Sequence, residues 1–506
     1  MRLGALDIGF GLAATIACCY AVPARRRWAV LLAASAAFVA IEDLPHLPVL
    51  ALLIASTFVA GRALERAQGA HARRAVLLAG LAPLAIGLVA FRAGAATLSI
   101  ALPLGLSFYT LRLAGYLADV FRRAAPAERH AGRFALFGAF FPELPAGPIE
   151  RGKALLPQLA APPDLRYESI ASGAKLFAWG LFKKLVVADR LRAFVAAVYD
   201  NPAGGWDGAA YVAATLYFAI QIYCDFSGYS DMAIGVGEMF GLRLAKNFDR
   251  PYQAKSIAEF WTRWHVSFST WLRDYVFLPL VYRAGRLLDR AASPVARVLA
   301  RRQDEAAYAF AALTTMGLCG VWHGTAWHFV AWGLVMGAFM VISVLTRKVR
   351  GRAARRIYAG RLRPLRDPAR TAMTFALVCV SWVFFRAGSV GGALDMLAAI
   401  PAGMAAWLRA AGSAAAALVS GASAAARLEA LAVPFRLGQH PFDLGVAIAG
   451  VALLLAVEQL QRRRGSVRRL LGERPAFLRW PVYAALVLAI LALRVPAAAG
   501  FIYAGF

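Results

Sequence analysis

The chain has 506 residues, of which 60% are hydrophobic and only 17% are charged. An ordinary soluble domain carries about a quarter of charged residues, so that class is excluded. Apolar runs near the length that crosses a bilayer recur along the chain and predict an all-α polytopic membrane protein. The formal net charge of +28 does not indicate nucleic acid, because the basic residues form short clusters between apolar runs, as cytoplasmic loops do.

The apolar runs give the predicted membrane spans, which are residues 4–22, 28–41, 47–61, 75–92, 97–119, 133–148, 169–188, 208–225, 306–321, 326–346, 371–386, 443–460 and 480–495. Basic clusters follow the first, third and fifth runs, whereas acidic residues follow the second. The positive-inside rule therefore predicts an N-terminus outside and Arg-rich loops in the cytoplasm. We expect one membrane-embedded domain over residues 1–506, with its core at about 97–390.

The segment 256–282 lies between two basic loops and has apolar residues at helical spacing. As one helix it has an apolar stripe that includes Trp261, with His265 at the edge of the stripe. A functional histidine and an amphipathic interfacial helix with an ordinary polar flank explain this pattern equally well. The basic flanks predict a re-entrant or interfacial helix, with His265 approaching from the cytoplasm.

His323 lies in the turn VWHGTA of a predicted hairpin over residues 306–346. The flanking Gly320 and Gly324 would let backbone or a substrate approach closely, and Trp322 and Trp327 would form apolar walls. Ionisable groups at membrane depth are costly, which favours a functional role for His323. Because the hairpin starts and ends at basic loops, its turn is predicted to face outside.

Two other polar positions are candidates for substrate binding. Asp225 lies at the predicted end of a span, where it could orient a histidine, pair with a base or cap the helix. Arg151 follows PELPAGPIE and could hold an anionic group or anchor the interface. No metal-ligand pattern or nucleophile elbow is present in a suitable setting, so a histidine general base acting on an incoming hydroxyl fits best. The Ala-rich residues 402–432 predict an interfacial hairpin on the outer side.

Several long motifs occur in an order that resembles the membrane-bound O-acyltransferases, and within them the bacterial alginate O-acetylase branch. The motifs are PLGLSFYTLRLAGYLADVFR, FFPELPAGPIERG, GLFKKLVVADRL, IQIYCDFSGYSDMAIGVGEMFGLRLAKNFDRPY, FWTRWHVSFSTWLRDYVFLPL, GVWHGTAWHFVAWG, WVFFRAGS and FIYAGF. The resemblance implies a multi-span fold with a central tunnel, a catalytic His323 and a second active-site or tunnel residue at His265. We expect Trp322, Trp261, Arg151 and Asp225 to bind substrate.

The resemblance also implies the reaction and its partners. An acetyl group would pass from acetyl-CoA or another acyl thioester in the cytoplasm, with no bound cofactor, to an extracytoplasmic polysaccharide. A periplasmic SGNH-hydrolase-like protein is the expected protein partner, and the bacterial inner membrane the expected location. Two alternatives stay open: transfer of D-alanine or another acyl group to a cell-wall polymer, and a non-catalytic transporter of acyl groups or glycans. The transporter is disfavoured because the sequence shows no inverted repeat.

Overall fold

The computed structural model describes residues 5–98, 101–161, 164, 166–201, 203–290, 303–419 and 425–495, and within these ranges it contains helices and turns but no strand. The helices of the first half are α1 (Ala5–Ala21), α2 (Arg27–Asp43), α3 (Leu47–Arg66), α4 (Ala70–Thr97), α5 (Leu106–Phe121), α6 (Ala131–Ala139), α7 (Gly152–Ala160), α8 (Tyr167–Phe182), α9 (Asp189–Tyr199) and α10 (Gly208–Met239). Those of the second half are α11 (Ile257–Trp261), α12 (Val266–Leu272), α13 (Leu278–Arg290), α14 (Gln303–His323), α15 (Trp327–Leu345), α16 (Arg347–Ile357), α17 (Arg366–Arg386), α18 (Val390–Val419), α19 (Ala425–Arg436), α20 (Pro441–Arg464), α21 (Val467–Gly472) and α22 (Ala476–Leu493).

Eight helical stretches of the described chain are long and apolar enough to cross a membrane. They are Ala24–Arg66, Ala70–Ala95, Gly208–Met239, Trp327–Leu345, Gly360–Arg386, Val390–Ala416, Pro441–Arg464 and Ala476–Leu493. The predicted all-α polytopic class is therefore confirmed. Helices α14 and α15 also form the hairpin predicted over residues 306–346.

Three predicted spans have wrong boundaries. The run 97–119 is not one helix, because α4 ends at Thr97 and α5 begins at Leu106. The run 133–148 holds only the short α6, followed by turns that contain prolines, which lack a backbone N–H and break a helix. The run 208–225 extends to Met239, so Asp225 lies in the middle of α10 and cannot cap its end.

The segment 256–282 is not the single helix that its periodicity predicts. Helix α11 ends at Trp261, and α12 begins only at Val266. Between them His265 has a left-handed backbone, with φ of 42° and ψ of 54°. A π-type turn at Arg273–Phe277 then joins α12 to α13. The expected continuous stripe with His265 at its edge is therefore wrong.

The Ala-rich residues 402–432 do not begin a separate interfacial hairpin. Their first half continues α18, which starts at Val390 and is apolar enough over Val390–Ala416 to cross a membrane. Residues 420–424 lie outside the described residues, as do 291–302 of the basic loop and the motif FIYAGF at 501–506.

Helices α8 and α10 run antiparallel and approach backbone to backbone. A Cβ atom at Gly173 would lie 2.3 Å from the carbonyl oxygen of Gly235, and one at Gly180 would lie 2.5 Å from that of Gly228. Only glycine allows so close an approach, which is how many membrane helices associate. This packing fixes α10, which carries Asp225 and Phe226 into the core.

The buried apolar side chains form two clusters. One lies in the N-terminal half around Leu113, Phe134 and Phe137. The larger one joins α5 and α8–α12 to the hairpin α14–α15 and to α17, and it includes Trp264 and Trp382. Both candidate histidines lie within the larger cluster, which therefore positions the site.

Candidate active site

His265 is fully enclosed, with 2% of its surface exposed, and does not lie at the edge of an apolar stripe. Its Nδ1 lies 2.9 Å from Oδ1 of Asn247, which also accepts a hydrogen bond from Oγ of Ser267 at 2.9 Å. The Asn247 amide nitrogen donates to Oγ of Ser230, at 3.0 Å. An amide oxygen only accepts, so the neutral His265 ring carries its proton on Nδ1 and leaves a lone pair on Nε2. That Nε2 atom is buried and has no hydrogen-bond partner in the described chain.

The left-handed backbone of His265 is fixed by the loop that follows α10. The N–H of Val266 donates to the carbonyl of Asn247 at 2.8 Å, and the N–H of Asp249 donates to the carbonyl of Arg263 at 2.9 Å. Non-glycine residues rarely have positive φ, and such strain concentrates at functional sites when the surroundings enforce it. The two chain segments therefore hold His265 in one orientation.

His323 is the last residue of α14 and is 4% exposed. Its ring centroid lies 4.8 Å from that of Trp322, 5.0 Å from that of Trp332 and 5.1 Å from that of Phe385. The Trp322 ring also lies 6.5 Å from the His265 ring. The Phe268 ring packs against both Trp322 and His265. We call this group of rings the histidine cluster; it consists of His265, Phe268, Trp322, His323, Trp332 and Phe385. The structure thus brings both predicted histidines to one place, while their approach from opposite sides of the membrane stays a prediction.

The two glycines that flank His323 serve packing more than substrate access. A Cβ atom at Gly320 would lie 2.3 Å from the carbonyl oxygen of Phe329, and one at Gly324 would lie 2.5 Å from the Phe329 ring. The space at both glycines is therefore filled by α15. Trp327 is 78% exposed, so its expected role as a wall of the site is wrong.

Trp261 reaches the edge of the histidine cluster, with its ring 6.1 Å from that of Trp332. Its helix α11 begins with two side-chain caps: Ser256 Oγ accepts from the N–H of Glu259, and the Glu259 carboxylate accepts from the N–H of Lys255. Burial raises the pKa of Glu259, but the bonds from Lys255 and Arg263 outweigh it and hold this pKa below its ordinary value. The ionised carboxylate thus stabilises the short helix that places Trp261.

Asp225 belongs to a buried set of ion pairs. Nζ of Lys184 lies 2.7 Å from Asp225 and 2.8 Å from Asp189. Nζ of the preceding Lys183 lies 2.8 Å from Asp231. The sequence left three roles open for Asp225, and the structure shows that it pairs with a basic residue, Lys184. Its neighbour Phe226 packs on His265, with ring centroids 4.6 Å apart.

Arg151 makes an ion pair and a cation–π contact with residues outside the histidine cluster. Its Nη2 is 3.1 Å from a carboxylate oxygen of Asp274, and its guanidinium lies 4.3 Å from the Tyr275 ring centroid. The Tyr275 hydroxyl donates to Asp119, which lines a cleft of about 690 Å³ together with Lys153. The Arg151 side chain therefore already contacts Asp274 and Tyr275, and substrate binding by Arg151 stays a prediction.

Sequence reasoning missed Asn247, Trp332 and Trp382. Asn247 occurs inside the motif that ends in KNFDRPY, but nothing in its spacing points to His265. Trp332 and Trp382 read as ordinary apolar residues of spans, yet their rings stack 6.1 Å apart beside His323. In the described residues no group of three His, Cys, Asp or Glu side chains could hold a metal ion.

Comparison of the sequence with known proteins finds one family match and several relatives. Residues 99–292 match the membrane-bound O-acyltransferase family, MBOAT. The probable alginate O-acetylase AlgI of Pseudomonas aeruginosa is 37% identical over 305 residues, which cover 60% of this chain and 52% of that protein. The peptidoglycan O-acetyltransferase of Helicobacter pylori is 31% identical over 327 residues, covering 60% and 57% of the two chains. The teichoic acid D-alanyltransferase of Streptococcus thermophilus is 29% identical over 245 residues, covering 47% and 56%.

The chain thus spans about half the length of the curated relatives that it matches. The matched region contains His265, whereas His323 lies beyond its end at residue 292. Residues 99–292 thus carry the match to the membrane-bound O-acyltransferase family, and the chain is similar to probable alginate O-acetylases.

Proposed function

We propose that the protein is a membrane O-acyltransferase that moves an acetyl group from a cytoplasmic thioester to an extracytoplasmic polysaccharide. The single observation that carries this proposal is the meeting of His265 and His323, which come from separate elements, around the buried ring of Trp322. Two relatives are named O-acetylase or O-acetyltransferase of a polymer, which supports an acetyl group and a polymeric acceptor.

In the proposed mechanism His323 is the general base. A neutral imidazole takes the proton of the acceptor hydroxyl while the oxygen attacks the thioester carbonyl, and it later gives this proton to the leaving thiolate. His265, with its Nδ1 proton held by Asn247, offers Nε2 as an acceptor that orients the hydroxyl. The surrounding aromatic rings exclude water and so limit hydrolysis of the thioester. This chemistry uses no resident cofactor.

The proposed donor is acetyl-CoA or another acyl thioester, drawn to the cytoplasmic face by the basic loops. The proposed acceptor is an alginate-like or other exopolysaccharide, reached directly or through a serine of a periplasmic SGNH-hydrolase-like partner. The proposed setting is the bacterial inner membrane with the N-terminus outside, which the distribution of Lys and Arg supports.

The test is the ester content of the extracellular polymer in cells that depend on this chain. We expect His323→Ala to abolish acetylation while the protein reaches the membrane in normal amount. His328→Ala is the matched control, because His328 lies on the same hairpin but bonds to the carbonyl of Phe384 at 3.1 Å. Undiminished ester in the His323 variant would refute the assignment.

The same experiment separates the competing acyl groups. Relatives named teichoic acid D-alanyltransferase favour D-alanine as the second candidate. Mild alkaline release from the polymer gives acetate under our proposal and D-alanine under the alternative. Consumption of acetyl-CoA by the purified chain only when an acceptor is present would argue against a transporter.

A further inference from the structure

Four indole N–H groups at and beside the histidine cluster have no acceptor in the part of the chain that the structure describes. The Nε1 atoms of Trp261, Trp322, Trp332 and Trp382 are all buried and lack a hydrogen-bond partner among the described residues. An indole nitrogen only donates, so each of these atoms has lost its bond to water without replacement. Buried polar groups in proteins are nearly always paired, and exceptions require an explanation.

Other tryptophans of the same chain show that the fold can supply acceptors. Trp271 donates to the carbonyl of Leu111 at 2.9 Å, and Trp407 donates to that of Leu431 at 3.2 Å. Trp206 also has an unpaired buried N–H, at the loop before α10, so the lack of a partner is not by itself the argument. What distinguishes Trp322 and Trp332 is their position against the proposed base.

The rings of Trp322 and Trp332 both contact His323. Their centroids lie 4.8 Å and 5.0 Å from that of the imidazole, and both rings stand nearly perpendicular to it, at 74° and 87°. Trp322 is 8% exposed and Trp332 is 1% exposed, so water does not compete freely for their N–H groups. Trp261 and Trp382 lie one ring further out, each 6.1 Å from Trp332.

Neutral hydrogen-bond donors in an apolar site favour an acceptor oxygen that becomes negatively charged during the reaction. The oxygen of a thioester carbonyl is a modest acceptor, but it gains a full negative charge when a hydroxyl attacks the carbon. Donors fixed in advance in a site without water stabilise that charge far more than the ground state. A neutral indole does so without placing a cation beside the imidazole that has just taken a proton.

We propose that the indole N–H groups of Trp322 and Trp332 are the donors that stabilise the oxyanion of the acyl-transfer step. This inference rests on the proposed function. As the acceptor oxygen bonds to the carbonyl carbon, the π electron pair moves onto the carbonyl oxygen, and the hydroxyl proton goes to His323. When the pair returns, the carbon–sulfur bond breaks, and the thiolate leaves with the proton from His323.

The test removes each N–H without changing the shape of the ring. Replacing Trp322 or Trp332 by 3-benzothienylalanine puts sulfur in place of the indole N–H. The full-length chain is purified in lipid nanodiscs and assayed with acetyl-CoA and alginate oligosaccharides. Because single oxyanion donors contribute about 10²–10³ in kcat, we expect losses of that order at each position with little change in KM. The same replacement at Trp407, far from the site and bonded to Leu431, should leave kcat within about twofold.

Two outcomes would overturn the indole proposal. Unchanged kcat in both isosteric variants would mean that the N–H groups meet only an ordered water. A raised KM with unchanged kcat would mean that they bind the ground state alone. Failure of the proposed function looks different, because His323→Ala would then transfer acetyl groups as fast as the unsubstituted chain, or neither would transfer any.

Discussion

Two buried regions of this protein differ in whether their polar groups have partners among the described residues. The ion cluster between α8, α9 and α10 pairs each of its charges, and it consists of Lys183, Lys184, Asp189, Asp225 and Asp231. The histidine cluster contains a lone pair on His265 and indole N–H groups on Trp322 and Trp332 that no described residue satisfies.

The difference separates polar groups that hold the fold from polar groups kept for a ligand. Lys184 bridges two carboxylates at 2.7 and 2.8 Å, so removing it leaves charges without compensation. An unsatisfied donor such as Trp332 costs stability in the resting protein and is kept where a ligand will use it. The ion cluster should therefore respond to mutation through stability, and the histidine cluster through rate.

The largest expected effect is on the stability of the ion cluster. Lys184→Met leaves Asp189 and Asp225 buried without their cation, which we expect to lower the free energy of unfolding by about 3–5 kcal/mol. Thermal unfolding of the detergent-purified chain measures this loss. The control is Lys246→Met, because Lys246 is 67% exposed and its pair with Asp249 should contribute only about 0–1 kcal/mol. Equal losses in the two variants would contradict the structural role of the ion cluster.

The next effect is on rate and comes from the residue that orients His265. Asn247→Leu removes the acceptor at Nδ1 and frees the ring to adopt the other tautomer, so we expect about 10–100-fold slower acetylation, as for outer-shell partners elsewhere. The rate of polymer acetylation per amount of membrane-inserted protein measures it. Asn247→Asp keeps an acceptor oxygen and should recover part of the rate. A normal rate in the leucine variant would show that the bond between Asn247 and His265 is dispensable.

The smallest effect compares one satisfied and one unsatisfied indole. With 3-benzothienylalanine at Trp271, the carbonyl of Leu111 loses its donor, and we expect a loss of about 0.5–1.5 kcal/mol in unfolding free energy. The same replacement at Trp382 removes an N–H for which no described residue is an acceptor, so stability should stay equal or rise. Loss of stability at Trp382 equal to that at Trp271 would mean that its N–H is satisfied after all.

The sequence predicts the class of the fold, and it singles out the two histidines that the structure brings together, because both depend on local signals. Long apolar runs give the spans, and the turn between α14 and α15 is visible as His323 between glycines. The break at residues 262–265 is not predictable in this way, because the apolar spacing of 256–282 continues through it. What breaks the helix is pairing with residues 247–249, which is a tertiary contact.

The residues that contact the two histidines are also not predictable from the sequence, because these contacts are tertiary. Asn247 lies outside the helices that flank His265, and Trp332 lies on the other helix of the hairpin from His323. Only packing brings each pair together. The run 133–148 is predicted too long because most residues after α6 are apolar, although the prolines of PELPAGPIE already indicate an irregular break. Apolar content thus predicts the class of the fold better than it predicts where a helix ends.

The most direct test of the account is acetyl transfer by the purified full-length chain with and without a base at residue 323. Acetyl-CoA consumption is followed with alginate oligosaccharides present and absent, for the unsubstituted protein and for His323→Gln. We predict consumption that requires the acceptor and that disappears in the variant, with its thermal unfolding unchanged. Equal, acceptor-dependent consumption by both proteins would contradict the account.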